Sequence, residues 1–127
     1  MDHASAADLL ERYKRAWETF DGDAWTDLFT EDAEYHRDPF DPPMVGSNAL
    51  RAYLLKLAES QDQVEMTVER HWAVGDTVLA AWHASFVQMP TRARVRVAGF
   101  MTLEIAGHGR ISRYRGWWHR RETPAAG

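Results

Sequence analysis

The spacing of apolar residues changes character near residue 63. Before that point, apolar side chains recur at three- and four-residue steps, which is typical of amphipathic helices. Two such series are Leu9, Tyr13, Ala16, Trp17 and Phe20, and Leu50, Tyr53, Leu54, Leu57 and Ala58. A shorter helix through Trp25 lies between them. After that point, apolar and polar residues alternate, with turn signals at Gly75-Asp76 and Gly107-His108-Gly109, which predicts antiparallel strands.

Helices followed by strands predict an α+β fold, in which three helices cover one face of an antiparallel sheet. No linker-like stretch or internal repeat interrupts the sequence. We therefore predict a single domain over residues 1–127, with flexible ends at residues 1–4 and 122–127. A chain of this length is long enough for one hydrophobic core.

The first hairpin of the predicted sheet turns at Gly75-Asp76. A two-residue turn there pairs Trp72 with Leu79 and Val68 with His83. These four residues would then share one mostly apolar face. An error of one residue in the turn would exchange the two faces, because successive side chains on a strand point to opposite sides.

The second hairpin turns at Gly107-His108. This turn pairs Val97 with Trp118 and Met101 with Tyr114 on a face that is almost free of charge. The reverse face mixes charged and aromatic residues. Such a mixture favours a solvated surface or a homodimer interface over a nucleic-acid stripe, because the net charge of the chain is −4.

Composition excludes several classes of function. The chain is 45% hydrophobic and 27% charged, as in ordinary globular proteins, and no apolar run is long enough to span a membrane. Because cysteine is absent, disulfides, thiolate metal sites and a cysteine nucleophile are excluded. The sequence contains no phosphate-binding glycine loop, dinucleotide fingerprint or helical histidine pair, which favours chemistry without a metal or cofactor. We expect a cytoplasmic protein that binds neither nucleic acid nor membrane.

The segment around Asp38 has the most suggestive chemistry. A short strand leads to Asp38-Pro39, and alternation places His36 and Asp38 on the same face. A carboxylate beside the apolar side chain of Phe40 would lose hydration, which suits a general base. The alternative is a solvated carboxylate in an Asp-Pro turn, which is common turn chemistry.

Several stretches together resemble the nuclear transport factor 2-like superfamily, especially its ketosteroid isomerases and SnoaL-like polyketide cyclases. The resemblance rests on Arg12-Tyr13, residues 28–33, Asp38-Pro39-Phe40, Gly109-Arg110-Ile111 and Trp118. It implies a cone-shaped curved sheet with the three helices on its concave face. By resemblance to the isomerases, Asp38 would be the general base and Tyr13 would donate to the developing oxyanion. Their second oxyanion donor corresponds to Met101, which cannot take that role.

The remaining candidates come from the predicted faces of the sheet. His36 or His83 would return a proton, although a structural role is an open alternative for each. Tyr13 and Trp17 lie four residues apart on one helical face, so both also fit an ordinary aromatic core. The predicted substrate-binding residues are Trp17, Phe40, Tyr53, Leu79, Met101, Tyr114 and Trp118.

These observations lead to a hypothesis about function. The chain is expected to be a small cofactor-independent enzyme, and a homodimer, that uses a carboxylate base in an apolar pocket. The substrate would be a cyclic or polyketide-like ketone, and the reaction isomerisation, cyclisation or dehydration. The alternative is a non-catalytic module of the same fold that binds a hydrophobic small molecule or only dimerises. Epoxide hydrolysis is disfavoured, because the aspartate–arginine–aspartate network that it uses in this superfamily is not evident.

Overall fold

The computed structural model describes residues 1–126, in which three α-helices pack on a curved, unclosed six-stranded sheet. The helices are α1 (His3–Glu18), α2 (Gly22–Thr26) and α3 (Ser47–Ala58). The strands are β1 (Phe29–His36), β2 (Met44–Val45), β3 (Gln61–Val74), β4 (Thr77–Gln88), β5 (Ala93–Ile105) and β6 (Ile111–Thr123). This architecture confirms the predicted α+β fold class. Of the predicted flexible ends, residues 3–4 belong to α1, residues 122–123 belong to β6, and residue 127 lies outside the described residues.

Helix α1 packs its apolar stripe against the sheet. It begins after Asp2, whose Oδ1 accepts a hydrogen bond from the backbone N–H of Ser5 at 2.7 Å. Its buried residues are Ala6, Leu9, Leu10, Tyr13 and Ala16, as the three- and four-residue spacing predicts. We call the side of the sheet that carries the helices its inner face and the opposite side its outer face. No helix among residues 1–126 is long and apolar enough to cross a membrane.

The sheet has the strand order β2-β1-β6-β5-β4-β3. Strands β3 to β6 pair antiparallel, as predicted, whereas β1 pairs parallel with β6. That parallel pairing places Tyr35 of β1 directly beside Tyr114 of β6. The helical half of the chain thereby contributes a strand to the same inner face as the second half.

The register of β3 and β4 differs from the prediction because it shifts at two places, one near Arg70 and one between Asp62 and Glu65. Trp72 pairs with Leu79, as the turn at Gly75-Asp76 predicts, but the register shifts between Val68 and Arg70, and Val68 pairs with Trp82. An extra residue of this kind is a β-bulge, and it reverses the faces of β3, the strand that contains it. In β4 the even-numbered residues from Val78 to Ala84 pack against the core without interruption, so the predicted placement of His83 on the apolar face is wrong.

The register of β5 and β6 differs from the prediction by two residues. Gly99, not Val97, pairs with Trp118, and Leu103, not Met101, pairs with Tyr114. The connection is longer than a two-residue turn, because a short 3₁₀ helix occupies Gly107–Gly109. A shift of two preserves the faces, since side chains alternate with a period of two. The predicted inner-face residues of this hairpin therefore remain on the inner face.

Strand β1 presents the face opposite to the one predicted. Tyr35 is 3% exposed and belongs to the core, whereas His36 bonds to Glu34 on the outer face. The strand ends at His36, so Asp38 lies in an exposed turn beyond it. The predicted inward orientation of His36 and Asp38 is therefore wrong, because burial of the Tyr35 ring decides which face of β1 points inwards.

Candidate functional site

A cavity of about 270 Å³ lies between the inner face of the sheet and helices α1 and α3. Most of its wall is aromatic or aliphatic, with a small number of polar groups. The residues that line it are Trp17, Tyr35, Arg37, Tyr53, Leu57, Gln61, Val64, Trp82, Ala84, Phe86, Val97, Tyr114, Trp118 and Arg120. Apolar walls with a few converging polar groups are the usual character of a small-molecule site.

Two stacked tyrosines form one wall of the cavity. The rings of Tyr35 and Tyr114 are almost parallel, at an interplanar angle of 4°, and their centroids lie 3.9 Å apart. Gly116, the next inner-face residue on β6, makes room for this stack, because a Cβ there would come within 2.8 Å of Tyr114 Cζ. The absence of a side chain at Gly116 therefore keeps the Tyr114 ring flat along the strand.

A third tyrosine, Tyr13, contacts this wall through its hydroxyl group. The Tyr13 hydroxyl lies 3.2 Å from the Tyr35 hydroxyl, and either oxygen can be the donor. When Tyr13 donates, the Tyr35 proton is left free to point elsewhere. Burial raises the pKa of both tyrosines well above the ordinary value, so both hydroxyls stay protonated near neutral pH. Tyr35 is therefore neutral, and its hydroxyl can donate to another oxygen when it accepts a hydrogen bond from Tyr13.

The charged side chains of the cavity are both arginines. Among the residues that the structure describes, Arg37 and Arg120 line the cavity and no aspartate or glutamate does. Arg37 lies over the Tyr53 ring, with 5.2 Å between the guanidinium carbon and the ring centroid. The cavity therefore combines aromatic walls, tyrosine hydroxyls and positive charge.

Asp38, the predicted base, lies outside this cavity. Its Oδ1 accepts a hydrogen bond from the backbone N–H of Phe40 at 2.8 Å, which closes a local turn. The sequence predicted that Phe40 would shield the carboxylate from water. The Phe40 side chain is instead 93% exposed and does not shield it. The neighbouring residue Arg37 lines the cavity, which places Asp38 one residue from its rim.

The two predicted histidines also lie away from the cavity wall. His36 Nε2 lies 3.1 Å from Glu34 Oε1 on the outer face, and Arg113 holds the other oxygen of the same carboxylate at 3.4 Å. These two contacts lower the pKa of Glu34, the hydrogen bond to His36 contributing most. His83 is half exposed, and its Nδ1 lies 2.6 Å from Glu69 Oε1. The predicted convergence of Asp38, Tyr13 and His83 on one point is therefore absent.

The predicted substrate-binding residues divide into two groups. Four line the cavity: Trp17, Tyr53, Tyr114 and Trp118. The others do not: Met101 is buried in the core at 1% exposure, Leu79 lies on β4 between the inward-facing Val78 and Ala80, and Phe40 is in the exposed turn.

Sequence reasoning missed Tyr35, Arg37, Trp82 and Arg120 as cavity residues. A signal for Tyr35 existed, because Ala33 and Tyr35 alternate with the polar residues of β1. A signal for Trp82 existed too, because the even-numbered residues of β4 from Val78 to Phe86 are all apolar. Within residues 1–126, no group of three or more metal-ligating side chains lies close together.

Comparison with known proteins supports the fold and the family. Residues 10–114 match the profile of the SnoaL-like domain. No curated protein matches the chain significantly in sequence. Among solved structures, the epoxide hydrolase/cyclase-like enzyme SalBIII, of pyran ring formation in the polyether salinomycin, is similar with a TM-score of 0.82 and 23% identity, over 93% of each chain.

Two further structures share the fold. An LEH-like epoxide hydrolase of Mycobacterium tuberculosis has a TM-score of 0.76 and 21% identity, covering 91% of this chain and 84% of its own. A computationally designed 17-OHP binder has a TM-score of 0.81 and 18% identity, covering 95% of this chain and 98% of its own. At such identities the similarity establishes the fold.

Proposed function

The chain belongs to the SnoaL-like domain family, and from this premise we propose that it binds a ring-shaped, largely apolar small molecule in the inner-face cavity. In this proposal the Tyr35 hydroxyl donates a hydrogen bond to a ketone oxygen of the ligand. The observation that carries the proposal is that Tyr35, which lines an aromatic cavity, has a hydroxyl group 3.2 Å from the Tyr13 hydroxyl. A hydrogen bond formed there is strong, because little water competes for the ligand oxygen.

The shape of the cavity and the fold both support this class of ligand. The rings of Trp17 and Trp118 offer flat surfaces on which a planar ligand can pack. The computationally designed 17-OHP binder indicates that a protein of the same fold can be made to hold a ligand. Tyrosine donation to a ketone also withdraws electron density from the carbonyl, which is the first requirement for isomerisation or cyclisation.

Replacing Tyr35 by phenylalanine tests the hydrogen bond. We expect Tyr35→Phe to weaken binding of tetralone, a bicyclic aromatic ketone, by about three- to tenfold, since one neutral hydrogen bond contributes about 0.5–1.5 kcal/mol. Tetralin, the hydrocarbon without the ketone, should bind both proteins equally. Tryptophan fluorescence titration gives both affinities. Tyr13→Phe is the comparison, because it removes the partner of the Tyr35 hydroxyl and leaves the donor itself, so it should weaken binding less than Tyr35→Phe; an equal loss in both variants, or none in either, contradicts the assignment.

A second candidate is turnover with Asp38 as the general base. It is favoured by the position of Asp38, which follows a residue that lines the cavity. Because His36 and His83 face away from the cavity, Asp38 itself would return the proton that it removes in this version. Here Asp38→Asn would lower turnover of a ketone substrate by about 10²–10⁴ with unchanged affinity. The binding proposal expects Asp38→Asn to change neither quantity, so steady-state kinetics and titration on one preparation separate the two.

We also propose that the chain forms a homodimer through the outer face of β4, β5 and β6. Trp117 is 45% exposed there, and Trp72 and Phe100 lie near each other on the same face, with 6.1 Å between ring centroids. Exposed aromatic side chains are typical of protein interfaces. Trp117→Glu is expected to shift the protein from dimer to monomer in analytical ultracentrifugation. A monomeric wild-type protein would contradict the proposal.

We propose separately that the protein is cytoplasmic, and cell fractionation checks this location.

A further inference from the structure

The charge around the cavity is of one sign. Arg37 and Arg120 line it, and no acidic side chain of residues 1–126 does. A neutral ligand would leave both guanidinium groups without an anionic partner on the cavity side. Binding surfaces usually carry charge complementary to that of their ligands. The one-sided charge therefore indicates a ligand that is itself acidic.

Arg37 has hydrogen-bond donors available for a ligand. Its guanidinium carbon lies 5.2 Å from the centroid of the Tyr53 ring, and the ion pairs formed by arginines in the described chain do not include it. A guanidinium group carries five N–H donors, so contact with Tyr53 occupies only part of them. Those N–H groups form a planar fork that matches the two oxygens of a carboxylate.

Arg120 has only weak partners of its own. Its guanidinium carbon lies 5.8 Å from the centroid of the Phe86 ring, and its Nη2 donates to Gln88 Oε1 at 3.2 Å. The same nitrogen lies 3.7 Å from Glu122 Oε2, and both side chains of this ion pair are nearly half exposed. An exposed ion pair contributes little, so a ligand carboxylate can replace the glutamate at small cost.

The size and walls of the cavity restrict the rest of the ligand. A volume of about 270 Å³ is near the lower end of the roughly 300–1,000 Å³ that ligand pockets enclose. That space suits one or two fused rings better than a four-ring skeleton. The aromatic rings of Trp17 and Trp118 favour a planar ligand, because flat rings stack on one another.

We propose that the cavity selects planar aromatic acids, with the ligand carboxylate bound by Arg37 and Arg120 and its rings packed on the aromatic wall. This inference rests on the proposed function, because it names the class of molecule that the same cavity takes. The Tyr35 hydroxyl then donates a hydrogen bond to a second oxygen of the ligand, deeper in the cavity. The arginines determine which ring compounds enter, and the tyrosine orients them.

The test compares two probes that differ in charge and not in shape. Naphthoate and naphthamide share a two-ring body, and only naphthoate carries a carboxylate at neutral pH. Tryptophan fluorescence titrations of the full chain measure both affinities. We expect naphthoate to bind at least about tenfold more tightly, since hydrogen bonds between charged groups are roughly twice as strong as neutral ones. We expect this preference to weaken as salt is added, because the arginines are partly exposed.

Three single variants assign the preference to its residues. Arg37→Gln and Arg120→Gln are each expected to reduce the preference for naphthoate by about three- to tenfold while leaving naphthamide affinity unchanged. Arg121→Gln is the matched control, because it removes the same charge from the next residue of β6, which does not line the cavity. It should retain the preference. Circular dichroism and thermal melting establish that each variant is folded.

The outcomes separate this inference from the proposed function. Equal binding of naphthoate and naphthamide overturns the acid selectivity and leaves the apolar ligand site standing. A preference that survives in both Arg37→Gln and Arg120→Gln, or that disappears equally in Arg121→Gln, overturns the role of the two arginines. If the folded wild-type protein binds neither probe, both the selectivity and the proposed ligand site are wrong for two-ring compounds.

Discussion

The free energy of unfolding is expected to fall steeply above about pH 10, by up to about 1.4 kcal/mol per pH unit for each of the buried tyrosines Tyr13, Tyr35 and Tyr114. Burial raises the pKa of all three in the folded protein. In the unfolded chain they titrate near the ordinary value of about 10. The stabilising effect of these groups is therefore fully present below pH 10 and is lost as the pH rises towards the raised folded values.

The sign follows from the protons bound in each state. Above pH 10 the unfolded chain has released its tyrosine protons while the folded chain retains them, so rising pH favours unfolding. Urea denaturation at several pH values between 9 and 12 measures the slope. Tyr13→Phe is expected to reduce the fall of the unfolding free energy with pH by the contribution of one tyrosine, at most about 1.4 kcal/mol per pH unit. Substitution of a solvent-exposed lysine should leave this slope unchanged. A slope that Tyr13→Phe does not alter would contradict the assignment to buried tyrosines.

The sequence was sufficient to predict the fold class because its periodicities are long and regular. The stripe of α1 recurs over five apolar positions, and the residues of that stripe that pack into the core include Leu9 and Tyr13. The turn at Gly75-Asp76 pairs Trp72 with Leu79 as expected, since a two-residue hairpin allows few registers. These are local rules, and the structure follows them.

It was harder to predict which face of each strand points to the core, because an error or insertion of one residue exchanges the two faces. The bulge near Glu69 reverses the faces of β3, so Val68 packs against the core although Trp72 lies on the outer face. In β4 the wrong face was predicted to point inwards, because Leu79 and Ala81 are as apolar as their inward-facing neighbours Val78 and Ala80. The hairpin of β5 and β6 escaped this error only because its register differs by an even number of residues.

The predicted catalytic group depended on Asp38, and its position illustrates a limit of motif reasoning. Proline after an aspartate marks the end of a strand, but it does not determine whether the carboxylate then points to a cavity or closes its own turn. Here Asp38 accepts a hydrogen bond from the backbone of Phe40. The positive lining of the cavity could not be predicted either, since Arg37 and Arg120 lie far apart in sequence and meet only through the folding of β1 beside β6.

Gly116 links this packing to the function of the cavity. We expect Gly116→Ala to destabilise the fold by about 1–3 kcal/mol, because the added methyl group overpacks a filled region. The methyl carbon would come within 2.8 Å of Tyr114 Cζ and 2.9 Å of Tyr114 Cε1. The Tyr114 ring is 4% exposed and stacks on Tyr35, so it can move only by disrupting that stack. Binding of tetralone is therefore expected to weaken together with stability.

Two controls make the effect of Gly116→Ala specific to the Tyr114 ring. Gly107→Ala is the matched substitution, because a Cβ at Gly107 meets no atom within 4 Å. It should be neutral or slightly stabilising, since alanine has fewer unfolded conformations than glycine. In a Tyr114→Ala background the ring is absent, and the same change at Gly116 should cost less than about 0.5 kcal/mol. Urea denaturation of the four proteins completes the double-mutant cycle; a cost that persists without the Tyr114 ring would place the strain in the backbone of β6 instead of in the tyrosine stack.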